Sequence, residues 1–171
     1  MPAKLKLSFS KNSPKGDVTT ICLIGKNGDI IPSLDKNVAA HLIRTMALAQ
    51  FTGKSGKSLM IYTDTNSYLL MGTGDKLALG TEAETLGGKL FSALNKTGAK
   101  LGWLPDHKLA PTVLADVLFG AELASYHFDR YFTEKERDEV TVRLCVGGDS
   151  LSEKVSVHQD RQALAKGVFL A

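Results

Sequence analysis

Hydrophobic and polar positions follow two periods along the chain, and the switches between them mark its elements. Lys4 to Phe9 alternates polar with apolar residues, the pattern of a half-buried strand. Asp17 to Ile24 begins the same way but ends in Ile21-Cys22-Leu23-Ile24, which predicts a strand near the centre of a sheet. After the turn chemistry of Gly25 to Asp29, a helix is expected from Ser33 as N-cap, with Val38, Leu42, Met46 and Ala49 on one face. Leu59 to Tyr62 and Tyr68 to Met71 are short apolar runs separated by Asp64 and Asn66. They predict adjacent strands, a hairpin buried on both faces. Thr81 with Glu84 three residues on is a capping box opening a helix that carries Leu86, Leu90 and Leu94 and stops at Gly98. Gly87-Gly88 within it suggests close packing on the sheet.

The second half continues the alternation. Trp103 to His107 is a short strand or loop, and Pro111 sits at the first position of a long helix expected to reach Phe132. Leu114, Val117, Leu118, Ala121, Ser125, Phe128 and Phe132 fall in one stripe of it. Val140, Val142, Leu144 and Val146 alternate within a strand from Glu139 to Val146, closed by Gly147-Gly148. A last helix is expected from about Ser152, with Asp160, Leu164, Gly167, Val168 and Ala171 in register. Its apolar end, without a terminal cap, predicts a native chain that continues past Ala171. Strands alternating with helices predict an α/β fold, a mixed β-sheet between helices. The opening pair of strands and the 59–71 hairpin make the sheet mixed.

Composition narrows the class without naming it. At 171 residues the chain suits one domain, residues 1–171. Its 43% hydrophobic and 23% charged residues are close to a globular average, so disordered and collagen-like readings fall away. No apolar run approaches a membrane span, and Met1 to Ser10 has no continuous apolar stretch, so the location expected is cytoplasmic. The formal charge of +3 is spread along the chain, which argues against a dedicated nucleic-acid surface. Cys22 and Cys145 sit in apolar runs and read as buried thiols in a reducing compartment.

Candidate chemistry is sparse. Gly53-Lys54-Ser55-Gly56-Lys57-Ser58 ends like a phosphate loop, but Phe51 stands where the first glycine belongs, and the segment follows a helix rather than a strand. Gly72-Thr73-Gly74-Asp75 follows an apolar strand, where backbone amides can face an anion; Gly72, Gly74 and Asp75 are the one weak binding candidate. His41, His107, His127 and His158 are far apart, and the pairs Glu82/Glu84 and Glu134/Glu136 read as solvated charge. No nucleophile, base and orienter assemble, so neither catalytic nor metal-binding residues are assigned.

One segment is more specific. Gly120-Ala121-Glu122-Leu123-Ala124-Ser125-Tyr126-His127-Phe128-Asp129-Arg130-Tyr131 resembles a helix late in the N-terminal domain of the leucyl aminopeptidase (cytosol aminopeptidase) family. Tyr68 to Gly74 resembles that family's apolar strand running into Gly-Leu-Gly. Gly87-Gly88 and the Lys-Thr-Gly-Ala at 96–99 follow in order, and Ala165 to Ala171 resembles the helix leading to its Ala-Arg-Asp-Leu-Val-Asn segment. The resemblance implies a macro-domain-like fold and a non-catalytic N-terminal domain serving assembly and substrate access. It implies a catalytic domain beyond residue 171 that binds two divalent ions, zinc or manganese, and releases N-terminal amino acids from peptides. A cytoplasmic, hexameric parent hydrolase, a metalloexopeptidase acting in proteolysis, is implied with it. The signature Asn-Thr-Asp-Ala-Glu-Gly-Arg is absent here, so no metal ligand or catalytic residue is carried over. The alternative is a stand-alone macro-like module binding a nucleotide or ADP-ribose near Gly72 to Asp75, although the glycine triplet typical of such modules is missing.

Overall fold

Ile21-Cys22-Leu23-Ile24 becomes the interior of the sheet, as its unbroken apolar character requires. The computed structural model describes residues 3–31, 34–75, 80–105, 107–126 and 140–170, with side chains except at 31 and 164–170. In chain order these residues form β1 (Ala3–Phe9), β2 (Thr19–Gly25), β3 (Ile30–Ile31), α1 (Lys36–Leu48), β4 (Ser58–Tyr62) and β5 (Ser67–Gly74). There follow α2 (Thr81–Thr97), β6 (Leu101–Leu104), α3 (Pro111–Ser125), β7 (Val140–Val146) and α4 (Leu151–Leu170).

The sheet order is β1-β7-β6-β2-β5-β4. The first five strands of that order are mutually parallel, and β4 runs antiparallel to β5. β6 pairs with β2 only at Thr19 and Thr20, and β3 takes up the same edge further on, opposite Leu23 and Ile24. The mixed α/β sheet between helices is therefore as expected. Its antiparallel members are β4 and β3, however. The opening strands do not pair: β1 crosses to β7, with Leu5 opposite Val142 and Leu7 opposite Leu144.

Alternation along each strand builds two cores. Ile21, Leu23, Leu69, Met71, Val142, Leu144 and Val146 face the layer of α2 and α3. Cys22, Ile24, Tyr68 and Leu70 face Leu42 and Met46 of α1. α4 lies against α3, and His158 reaches back to the Phe9 ring at 5.7 Å between centroids.

Several local expectations are corrected. The N-cap of α1 is Asp35, whose carboxylate accepts from the Asn37 amide at 2.9 Å; Ser33 lies outside the described residues. Thr81 is the first residue of α2 rather than its cap, which is Gly80. α3 ends at Ser125 with Tyr126 extended, so the described part of its buried stripe stops near Ala121; Phe128 and Phe132 lie outside the described residues. β5 is buried on both faces, but β4, as the sheet's edge, is not. The Gly87-Gly88 pair packs on a helix rather than on the sheet. A side chain at Gly87 would strike the Val117 carbonyl of α3, and one at Gly120 would strike the Glu84 carbonyl of α2. These two glycines let the helix backbones touch.

Candidate functional site

Two places at the carboxyl ends of the parallel strands bring polar groups together, where open α/β sheets usually hold their ligands. The first is the corner that contains Gly72, Gly74 and Asp75. Here the loop between α1 and β4 crosses the ends of β2 and β5 in direct backbone contact. The Gly72 amide donates to the Lys57 carbonyl at 2.8 Å, and the Gly74 amide to the Gly53 carbonyl at 3.0 Å. The Gly72 carbonyl accepts from Gly56 and the Gly74 carbonyl from Lys26. A Cβ at Gly72 would land on the Lys54 carbonyl oxygen. These glycines serve a close crossing of three chain segments, and both amides are engaged within the protein. Asp75 adds negative charge at the rim, where it pairs with Lys26 at 3.0 Å between exposed side chains. An exposed pair of this kind contributes little to stability. Gly53 to Ser58, the phosphate-loop look-alike, is the turn of this crossing, with the Lys57 amide donating to the Lys54 carbonyl at 3.0 Å.

The second place is a polar seam between α2, α3 and α4. Asp116 is fully buried in α3 among Leu114, Ala115, Val117 and Leu118. Its Oδ2 accepts from the Gly80 amide at 2.7 Å, and its Oδ1 meets the Arg161 guanidinium of α4. The carboxylate thus caps α2 from outside the chain segment, where the helix dipole favours negative charge. It displaces the cap expected from Thr81. Nearly two turns further along α3, Glu122 Oε1 accepts from Gln162 Nε2 at 2.7 Å and lies 3.6 Å from His158 Nε2. Lys154 donates from Nζ to the Gly147 carbonyl at 3.2 Å. None of Asp116, Arg161, Gln162 or Lys154 was singled out from the sequence, and Glu122 entered only as one residue of the 120–131 segment. The legible signal was Asp116 itself, a lone carboxylate inside the apolar stripe of α3.

The remaining candidates scatter. His41 is exposed on α1, His107 is buried with Nδ1 accepting from the Leu109 amide at 3.2 Å, and His127 lies outside the described residues. Among the described residues no group of three or more His, Cys, Asp or Glu side chains stands close enough to hold a metal ion. Burial pushes the Cys22 thiol up to about 12, so it stays protonated and unreactive. Of the specific motif, Ser125 donates to the Glu122 carbonyl at 2.8 Å and Tyr126 is about half exposed. Residues 127–131 lie outside the described residues. Among the described residues no helix is long and apolar enough to cross a membrane.

Comparison with known proteins gives one consistent answer. Residues 22–135 match the family described as the cytosol aminopeptidase family, N-terminal domain. A probable cytosol aminopeptidase of Brucella ovis is 28% identical over 186 aligned positions, covering 100% of this chain and 37% of that protein. Probable cytosol aminopeptidase 1 of Shewanella oneidensis is 31% identical, covering 95% of this chain and 33% of that protein. The fold is similar to that of a mutant tomato leucine aminopeptidase, with a TM-score of 0.70, 17% identity, and coverage of 98% of this chain and 37% of that one. The chain thus spans about a third of the length of these relatives.

Proposed function

The chain belongs to the cytosol aminopeptidase family, in which it corresponds to the N-terminal domain, and on that premise we propose that it is the non-catalytic part of a metal-dependent aminopeptidase. Its role is assembly and the shaping of substrate access. The catalytic domain follows residue 171 and holds two divalent ions, zinc or manganese, which activate water for attack on the first peptide bond. The parent is a cytoplasmic enzyme, a hexamer by family resemblance, acting on the N-termini of peptides.

The observation that carries this reading is the family match over residues 22–135, in relatives of which this chain spans about a third; the carboxylates of the seam, besides, are engaged within the fold. Asp116 is taken up by Gly80 and Arg161, and Glu122 by Gln162 and His158. The donor set needed for two metal ions does not fit these residues, and no step is assigned to them. The nucleotide-binding alternative needs amides at Gly72 and Gly74 that reach a ligand, and both donate to carbonyls of the crossing loop. Leucyl-anilide hydrolysis by the 171-residue chain with manganese or zinc is the test. No turnover is expected from the purified chain. Turnover at ordinary enzyme rates that tracks with it through purification overturns the proposal. Calorimetric titration with ADP-ribose should show no tight binding; low-micromolar affinity lost on Gly74→Val supports the alternative.

A further inference from the structure

The two faces of the sheet are covered unequally. On one face, the layer of α2 and α3 packs on strands from β1 to β5. On the other, α1 packs on β2, β5 and β4, through Cys22, Ile24, Leu70 and Ile61. The rest of that second face belongs to β1, β7 and β6. Leu5, Leu7, Val142 and Leu144 point into the α2–α3 layer, so alternation turns Lys4, Lys6, Ser8, Thr141 and Arg143 to the α1 side. All five are exposed, and they form an open shelf beside α1.

The charge on this shelf has one sign. Lys6 is the register partner of Arg143, and Lys4 of Thr141. Neighbouring strands lie about 4.8 Å apart, so Lys6 and Arg143 are like charges side by side, an unfavourable pair until an anion joins them. Among the described residues no carboxylate pairs with Lys4, Lys6 or Arg143. β1, β7 and β6 contain no Asp or Glu between their printed ends.

The shelf also has the dimensions of a helix. Three strands span about 10 Å from the first to the third, close to the diameter of one helix. The seven residues of β1 extend about 23 Å, the length of roughly 15 helical residues. The crossover from β2 through α1 to the parallel β5 is right-handed, as such connections are, and the helical period then turns Leu48 toward the shelf. Leu48 is 78% exposed and offers an apolar wall beside the cations.

We propose that this shelf receives an acidic amphipathic helix of a partner protein, laid along β1 and β7 beside α1. Glutamates one turn apart stand about 5–6 Å from each other, which matches the spacing of Lys4, Lys6 and Arg143. Their carboxylates relieve the Lys6–Arg143 pair, the hydroxyls of Ser8 and Thr141 donate to the remaining oxygens, and an apolar residue beside them covers Leu48. A single-stranded nucleic acid fits less well, because the only aromatic residue on this part of the face, Trp103, is buried and leaves no ring for base stacking. The proposal uses only this chain's own residues and does not rest on the catalytic assignment above.

The test uses the 171-residue chain and a labelled synthetic helix of about 18 residues, with glutamates one turn apart on one side and leucines beside them. Fluorescence anisotropy at low salt should show saturable binding that weakens as salt is raised. The same peptide with glutamine for every glutamate should bind about tenfold more weakly or worse. Lys6→Glu and Arg143→Glu should each weaken binding by about tenfold or more, and Leu48→Ala by a smaller factor, with circular dichroism unchanged. Lys6→Glu keeps the fold because it sets opposite charges side by side. Lys89→Glu, exposed on α2 at the other face, should change binding by no more than about twofold, the share of net charge alone. Absence of saturable binding, equal binding of the glutamine peptide, or indifference to both Lys6→Glu and Arg143→Glu overturns the proposal. Tighter binding of a short DNA duplex than of the glutamate peptide, through the same residues, overturns it as well.

Discussion

Replacing Asp116 by alanine should destabilise the fold by about 2–4 kcal/mol, far more than an ordinary surface change. The carboxylate is fully buried, and two groups depend on it. The Gly80 amide at 2.7 Å loses its acceptor at the start of α2. A buried donor left without a partner costs about 1–3 kcal/mol. The Arg161 side chain is 37% exposed and can turn to water, so loss of that pair adds only about 0.2–1 kcal/mol. The small void left in the α3 stripe supplies the rest. Asp116→Asn keeps an acceptor for Gly80 and should cost about half as much. Urea unfolding followed by circular dichroism reads both. With a slope of about 2 kcal/mol per molar, the alanine midpoint falls by about 1–2 M. A double-mutant cycle with Arg161→Ala should show a coupling of about 0.5–3 kcal/mol. An alanine variant within about 0.5 kcal/mol of the parent, in the range of ordinary surface changes, would refute the view that Asp116 ties α2 and α4 to α3.

Gly87→Ala should destabilise by about 1–3 kcal/mol or more, because the added methyl meets the Val117 carbonyl and α2 must move off α3; thermal melting measures it. Gly80→Ala, where a Cβ would meet open space but φ of 79° with ψ of −132° suits glycine alone, should cost about 1–3 kcal/mol through backbone strain alone. Cys22 should resist thiol reagents until the chain unfolds, as a time course with and without denaturant would show. Its folded value near 12 lies above the ordinary value of 9.0, so the unfolded chain gives up the proton first; stability should fall as pH rises from about 9 toward 12, and Cys22→Ala should flatten that part of the profile.

The elements most legible in the sequence were those whose periodicity reports burial directly. Ile21 to Ile24 and Tyr68 to Met71 are unbroken apolar runs because β2 and β5 are covered on both faces. Val140 to Val146 alternates through Val142 and Leu144 because its other face carries Thr141 and Arg143 in water. Pro111 and Gly98 marked helix ends because their backbone restrictions are local. What was not legible depends on partners distant in sequence. Nothing near Ala3 announces that it pairs with Val140, and nothing near Thr81 announces that a carboxylate 36 positions beyond Gly80 occupies the end of its helix. The apolar run of β4 looks like a buried strand from its composition, although it stands at the edge. The Gly72 to Asp75 candidate illustrates the same limit. A Gly-x-Gly after a strand is compatible with an anion cradle or with a chain crossing, and only the loop at Gly53 to Lys57 shows where the amides point.

The most direct measurement is the size and activity of the protein as the source cells make it, captured with an antibody against residues 1–171. On the proposed reading, in which this 18.4 kDa chain makes up 37% of its parent as it does of the Brucella ovis relative, the parent polypeptide has a mass of about 50 kDa. The expected result is a band of that size that hydrolyses leucyl anilide in the presence of manganese or zinc, while the 171-residue chain alone does not. An endogenous product of 18.4 kDa, or hydrolysis by the isolated chain, would contradict the assignment as a non-catalytic N-terminal domain.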